Sequence, residues 1–193
     1  MIIVLLGESA VGKDTIANKI SEDLNIPIAV SFTTRPKREG EIDGVTYNYI
    51  TNSELTLKIL NNEVMEHTEY VIESEHKIYK YGVTKDELLK SDNVLVILNP
   101  IGYKQVLKSD LRDKIISIHI TCDNKTRLLR AINRETNVNI DEVIDRYVRD
   151  RRDFREQKLI TDYTVENKDF ATAITKIENI IKEHLKCHKK VIR

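Results

Sequence analysis

The chain has 193 residues, enough for one domain with a sizeable core. Its 31 Lys+Arg balance 31 Asp+Glu, and a formal net charge of zero counts against nonspecific nucleic-acid binding, which needs a basic surplus. No apolar run approaches the ~20 residues of a membrane span, residues 1–6 lack the basic flank of a signal peptide, and two cysteines, Cys122 and Cys187, cannot build a disulfide framework. The expectation is a soluble cytoplasmic globular protein, monomer or homodimer, without nucleic-acid or membrane partners.

In chain order, short apolar runs at residues 2–6, 28–32, 94–98 and 115–120 predict buried strands. Ile16, Ala17, Ile20 and Leu24 recur at helical spacing after the first run. Ala171, Ile174, Ile177, Ile180, Ile181 and Leu185 do so near the end of the chain. Strands alternating with helices predict an α/β fold with a parallel sheet flanked by helices. Residues 46–50, 70–74 and 77–81 instead alternate polar and apolar side chains, as half-exposed antiparallel strands do. Residues 32–92 therefore read as a small mixed α+β lobe inserted into the core. Residues 124–158 hold ten Lys/Arg against seven Asp/Glu and predict a second insertion of two helices joined near 136–139.

Gly7-Glu8-Ser9-Ala10-Val11-Gly12-Lys13 fits G-x-x-x-x-G-K between an apolar strand and an amphipathic helix, which is the context a phosphate loop requires. Two glycines permit a tight loop whose N–H groups converge on phosphate, the helix N-terminus adds partial positive charge, and Lys13 adds a full one. Asp14 stands where a hydroxyl usually follows the lysine. Either its carboxylate or the hydroxyl of Thr15 could ligate Mg²⁺, which prefers hard oxygen donors. Residues 7–15 are thus candidates for binding ATP. Guanine-reading N-K-x-D is absent, because Asn124-Lys125-Thr126-Arg127 carries Arg at its last position. A small acceptor-phosphorylating kinase is favoured over a GTPase.

The segment from Ser31 through Thr33-Thr34-Arg35-Pro36-Lys37-Arg38 to Tyr47 and Tyr49 resembles the signature of guanylate kinases. Asn61-Asn62-Glu63-Val64-Met65-Glu66-His67, Tyr81-Gly82 and Glu166-Asn167-Lys168-Asp169 resemble three further blocks of that family, in order, so the resemblance spans essentially the whole chain. It implies a single P-loop NTPase domain with core 1–31, 93–123 and 159–193, a nucleoside-monophosphate lobe 32–92, and an arginine-rich lid 124–158. The implied reaction is ATP-dependent phosphorylation of GMP or dGMP, with Mg²⁺. Ser31, Arg35, Arg38, Tyr47 and Tyr81 would hold the acceptor phosphate, for which two guanidinium forks and phenol hydroxyls are suited. Glu66 would accept from guanine N1–H and the exocyclic amine. Arg130, Arg134 and Arg146 would join Lys13 as catalytic residues closing over the transferring phosphates. Asn167 would lie near the adenine. The other arginines of 124–158, Arg127 among them, are expected on a salt-bridged helix surface with Asp145, Asp150, Asp153 and Glu156 in reach.

Two departures concern the base. A hydroxyl residue usually follows Tyr-Gly in the family, and here it is Val83. The family's Asp-x-Asp at the end of the next strand reads Ile97-Leu98-Asn99, where Asn99 is expected to accept from a base amino group through its carbonyl oxygen. The connection from Glu66 to Tyr81 also exceeds the family pattern and predicts an extended hairpin. Two alternatives stay open: a related kinase acting on ribose 1,5-bisphosphate or another deoxynucleotide, and a non-catalytic phosphopeptide-binding module.

Overall fold

The computed structural model describes residues 1–38, 40–72, 77–133, 139–156 and 160–191, with backbone alone at 72, 156 and 187–191. Strand β1 (Ile2–Leu6) leads through the glycine-containing loop into α1 (Lys13–Leu24). Short strands β2 (Phe32–Thr33) and β3 (Asn48–Tyr49) precede α2 (Asn52–Leu60), the long pair β4 (Val64–Ile72) and β5 (Lys77–Thr84), and α3 (Lys85–Leu89). The chain continues through β6 (Val94–Ile97), α4 (Pro100–Val106), β7 (Ile115–Thr121), α5 (Asn124–Ile132), α6 (Ile140–Glu156), β8 (Tyr163–Glu166) and α7 (Phe170–Val191). Among the described residues no helix is long and apolar enough to cross a membrane.

These strands form two sheets. The first is wholly parallel in the order β6-β1-β7-β8, flanked by helices as the alternating pattern predicts. Every residue of β1 is buried because both faces of this central strand are covered. Ile3 and Leu5 pack with Ile16 and Ile20 of α1 and Ile177 and Ile181 of α7. Ile2, Val4 and Leu6 pack on the other face with Val96, Leu98 and Val106. Such two-sided burial explains why the strand reads as an unbroken apolar run rather than an alternation. The phosphate loop leaves the carboxyl end of β1, where parallel α/β sheets bind ligands.

The second sheet has the order β3-β2-β5-β4, with β4 and β5 antiparallel from Val64↔Thr84 to Ile72↔Lys77. Its predicted extended hairpin is present, and its tip at 73–76 lies outside the described residues. The run at 28–32 differs from expectation. Ile28 makes a single bridge to Leu95, while Phe32–Thr33 joins the second sheet. Between them the Val30 amide donates to the Glu87 carboxylate, so the chain leaves the first sheet's edge. Strand β8, half exposed and of mixed polarity, has no apolar run to announce it. Two helices cover the second insertion as expected, with residues 134–138 of their connection outside the described set.

Candidate active site

Gly12 starts α1 with φ +100°, a left-handed conformation natural to glycine. A Cβ there would also meet the Asn167 side-chain nitrogen at 2.7 Å. That nitrogen donates to the Val11 carbonyl at 2.7 Å, and Arg130 donates to the same oxygen at 3.3 Å and to the Asn167 carbonyl at 3.5 Å. Asn167 is 2% exposed and braces the loop from beneath. Lys13 Nζ donates to the Glu8 carbonyl at 3.0 Å. Burial lowers the Lys13 pKa first, opposed by the charges of Asp14, Asp150 and Glu8 and reinforced by Arg127.

Arg127 is a correction to the sequence expectation. It is 2% exposed, wedged behind the loop, and not on a solvated helix surface. Its guanidinium pairs with Glu8 at 3.3 Å and Asp150 at 3.3 Å and donates to the Ser9 carbonyl at 3.2 Å, while Tyr147 stacks 5.2 Å away. Asp150 also accepts the Ser9 amide at 2.6 Å. Helices α5 and α6 are thereby tied to the phosphate loop by one buried charge cluster. His119 of β7 stacks on Phe154 of α6 at 5.2 Å and adds a second attachment. No sequence pattern separates Arg127 from its neighbouring arginines, since only the packing of α5 against the loop buries it.

Two cavities, of about 310 and 270 Å³, open on either side of this loop. The first is bordered by Gly12, Asp14, Thr15, Arg130 and Arg146, the second by Ser31, Tyr47, Glu66, Tyr81 and Asn99. Ser9 and Lys13 border both. Ile97 and Asp14 fall in different cavities. Arg134 lies outside the described residues.

Arg35 and Arg38 border neither cavity. Arg35 is buried and gripped by both oxygens of Glu41, which also accepts from the Tyr49 hydroxyl and the Arg38 amide. The Arg35 contact first of all holds the Glu41 pKa down at about 2. Arg38 is exposed and pairs with Glu142 of α6 at 3.0 Å, and Arg146 pairs with the same carboxylate. Tyr47 keeps its ring against Arg35 at 5.3 Å and meets Tyr81 edge-on at 5.9 Å.

Glu66 is 4% exposed, and its Oε2 has no partner among the described residues. Burial raises its pKa to about 8, opposed only by an N–H from Val83. Room for the carboxyl exists because residue 102 is glycine: a Cβ there would stand 2.7 Å from the Glu66 Cδ. Asn99 borders the second cavity, and both ends of its side chain meet protein groups. Its side-chain oxygen caps α4 by accepting the Gly102 amide at 2.7 Å, and its nitrogen donates to Thr68 and Tyr70. Thr68 and Tyr70 border the second cavity and were not candidates from sequence, because the alternating pattern of β4 marks them only as strand residues.

Comparison with known proteins agrees with this arrangement. The family model described as guanylate kinase matches residues 1–184. The chain is 30% identical over 181 residues to the guanylate kinase of Mycoplasma capricolum subsp. capricolum, covering 93% of this chain and 59% of that protein. It is 28% identical over 183 residues to that of Mycoplasmoides gallisepticum, covering 94% of this chain and 91% of that protein. The first of these curated relatives is thus matched over about three fifths of its length. The crystal structure of guanylate kinase from Anaplasma phagocytophilum superposes with a TM-score of 0.68 at 25% identity, covering 95% of this chain and 85% of that one. A phosphate loop at the end of a central parallel strand, a second cavity sharing Lys13, and a family match over nearly every residue converge: this chain belongs to the guanylate kinase family.

Proposed function

We propose that the chain transfers the γ-phosphoryl group of ATP to GMP or dGMP, giving ADP and the nucleoside diphosphate. One observation carries this reading: the two cavities meet at Ser9 and Lys13, so a donor in one and an acceptor in the other would face each other across the phosphate-loop lysine. Phosphoryl transfer demands positioning and charge neutralisation more than covalent chemistry. Loop amides and Lys13 hold the ATP phosphates, with Arg130 and Arg146 beside them. Tyr47, Tyr81 and Ser31 orient the acceptor, whose phosphate is already anionic and needs no general base. Arg35 and Arg38 exchange Glu41 and Glu142 for that phosphate, so each is held ready by a carboxylate of the protein itself. The sequence boundaries of core (1–31, 93–123, 159–193), lobe (32–92) and lid (124–158) follow from the same reading, as does action in the cytoplasm, where ATP and nucleoside monophosphates are found.

The donor set of the first cavity suits Mg²⁺. Asp14 and Thr15 offer exposed hard oxygens at the start of α1, and among the described residues no group of three His, Cys, Asp or Glu is arranged to hold a metal by itself. This fits a cation shared between one or two protein oxygens and nucleotide phosphates. Mg²⁺ would supply charge neutralisation at the β- and γ-phosphates.

An ATP-coupled acceptor panel of GMP, dGMP, AMP, dTMP and ribose 1,5-bisphosphate tests the proposal. GMP or dGMP should exceed the others by at least about a hundredfold in kcat/KM, since a site built to bond a polar edge strongly rejects bases lacking it. Turnover of ribose 1,5-bisphosphate in preference to GMP, or no turnover at all, overturns it.

A further inference from the structure

Thr68, Tyr70 and Asn99 form a polar cluster on the wall of the second cavity, and its hydrogen-bond directions are fixed by one contact. The Gly102 amide donates to the Asn99 side-chain oxygen at 2.7 Å, which only an oxygen could accept. Asn99 therefore turns its nitrogen the other way, donating to Thr68 Oγ1 at 2.6 Å and Tyr70 Oη at 2.8 Å. A hydroxyl that accepts from an amide N–H keeps its own proton for another acceptor. Among the described residues neither proton finds one, although Thr68 is buried. Both residues border the same cavity as Glu66. The Tyr70 ring is held by Arg149 on its face at 5.1 Å and Tyr81 at its edge at 5.4 Å, so its hydroxyl has a defined place.

We infer that Thr68 and Tyr70, aligned by Asn99, are specificity-determining residues that donate hydrogen bonds to the O6/N7 edge of a guanine acceptor while Glu66 takes N1–H and the 2-amino group. This rests on the nucleotide-kinase reading above and adds which groups read the base. The polarity argument selects the ligand. Guanine presents two acceptors, N7 and O6, along one edge, whereas adenine places an amino donor at position 6. An adenine amine would turn a donor toward the two hydroxyl protons, and its unprotonated N1 would leave the Glu66 carboxylate without the N1–H that guanine offers. Val83 gives the arrangement its purpose. The side chain of Val83 is fully buried in the core with Leu88 and Val96, so no hydroxyl is offered at that position. The two hydroxyls on β4 supply the donors from the neighbouring strand.

The test measures KM and kcat of wild type, Tyr70→Phe, Thr68→Val and Thr68→Ser with GMP, 6-thio-GMP and 7-deaza-GMP, alongside thermal melts. Removing one neutral donor should raise the GMP KM roughly three- to tenfold. That penalty should fall below about twofold on the analogue whose acceptor at position 6 or 7 has been weakened or removed. Thr68→Ser keeps the hydroxyl and should keep the wild-type pattern. An unchanged GMP KM in both Tyr70→Phe and Thr68→Val overturns the inference. So does an equal loss on all three nucleotides, or a Thr68→Ser loss as large as that of Thr68→Val, since either identifies packing as the cause. In each of those cases wild-type GMP turnover persists and the kinase reading stands. Wild type that phosphorylates another acceptor but not GMP overturns both.

Discussion

Glu66→Gln exchanges a buried, titrating carboxyl for a neutral group of the same shape, and the structure sets the size of the effect. With its pKa raised to about 8 by burial, Glu66 is ionised in only about a tenth of empty sites at pH 7. Guanine's two donors require the carboxylate, so GMP binding should expel about 0.9 proton at pH 7. The ionised fraction climbs from about 0.1 to about 0.76 between pH 7 and 8.5, and Kd for GMP should tighten roughly eightfold over that window. The window begins at pH 7 because a phosphate monoester itself titrates near pH 6. Calorimetry in two buffers of different ionisation enthalpy counts the proton directly. Glu66→Gln should bind GMP more weakly, release no proton and show a flat profile. Stability of the empty protein carries the same sign. The folded site keeps its proton up to about pH 8, whereas the unfolded chain releases it near 4.5, so this group's contribution falls as pH rises through that interval. Glu66→Gln should remove that decline. Wild type that binds GMP without proton release and with a flat Kd would refute both the buried state of Glu66 and its contact with the base.

Lys13→Ala should lower kcat by orders of magnitude while far-ultraviolet circular dichroism stays native, because Lys13 borders both cavities and lies outside both core clusters. Arg127→Met should lower stability by about 2–3 kcal/mol in urea titrations, below the usual figure for a broken buried pair because Glu8 and Asp150 keep about a fifth of their surface. An unchanged midpoint would mean the cluster contributes nothing to docking α5 and α6 on the loop. Asp14→Ser should shift the Mg²⁺ dependence of turnover to higher metal concentration and leave metal-free ATP binding no weaker; superimposable Mg²⁺ titrations would reduce Asp14 to a helix-terminal stabiliser.

What the linear sequence determined is whatever a local pattern encodes. Residues 2–6 are apolar at every position because their strand is covered on both faces, so burial is written into consecutive letters. Gly7 to Lys13 is equally legible, since a strand-turn-helix phosphate loop needs its glycines and lysine at fixed spacing. Ser31, Tyr47, Glu66 and Tyr81 could be named from ordered blocks, and they border one cavity.

Only the tertiary structure decided the rest, because those features are relations between distant segments. Arg127 looks like its neighbouring arginines until α5 packs on the phosphate loop and leaves it 2% exposed between Glu8 and Asp150. Nothing in the sequence shows that the Gly102 amide bonds the Asn99 side-chain oxygen and so turns its nitrogen to Thr68 and Tyr70, some thirty residues earlier in the chain. Arg35 and Arg38 read as open phosphate ligands, yet Glu41 and Glu142 occupy them, the latter from another helix altogether. Sequence periodicity reports which face of an element is buried. It carries no information about which polar atoms meet across that burial, and hydrogen-bond direction, charge pairing and pKa all depend on that meeting.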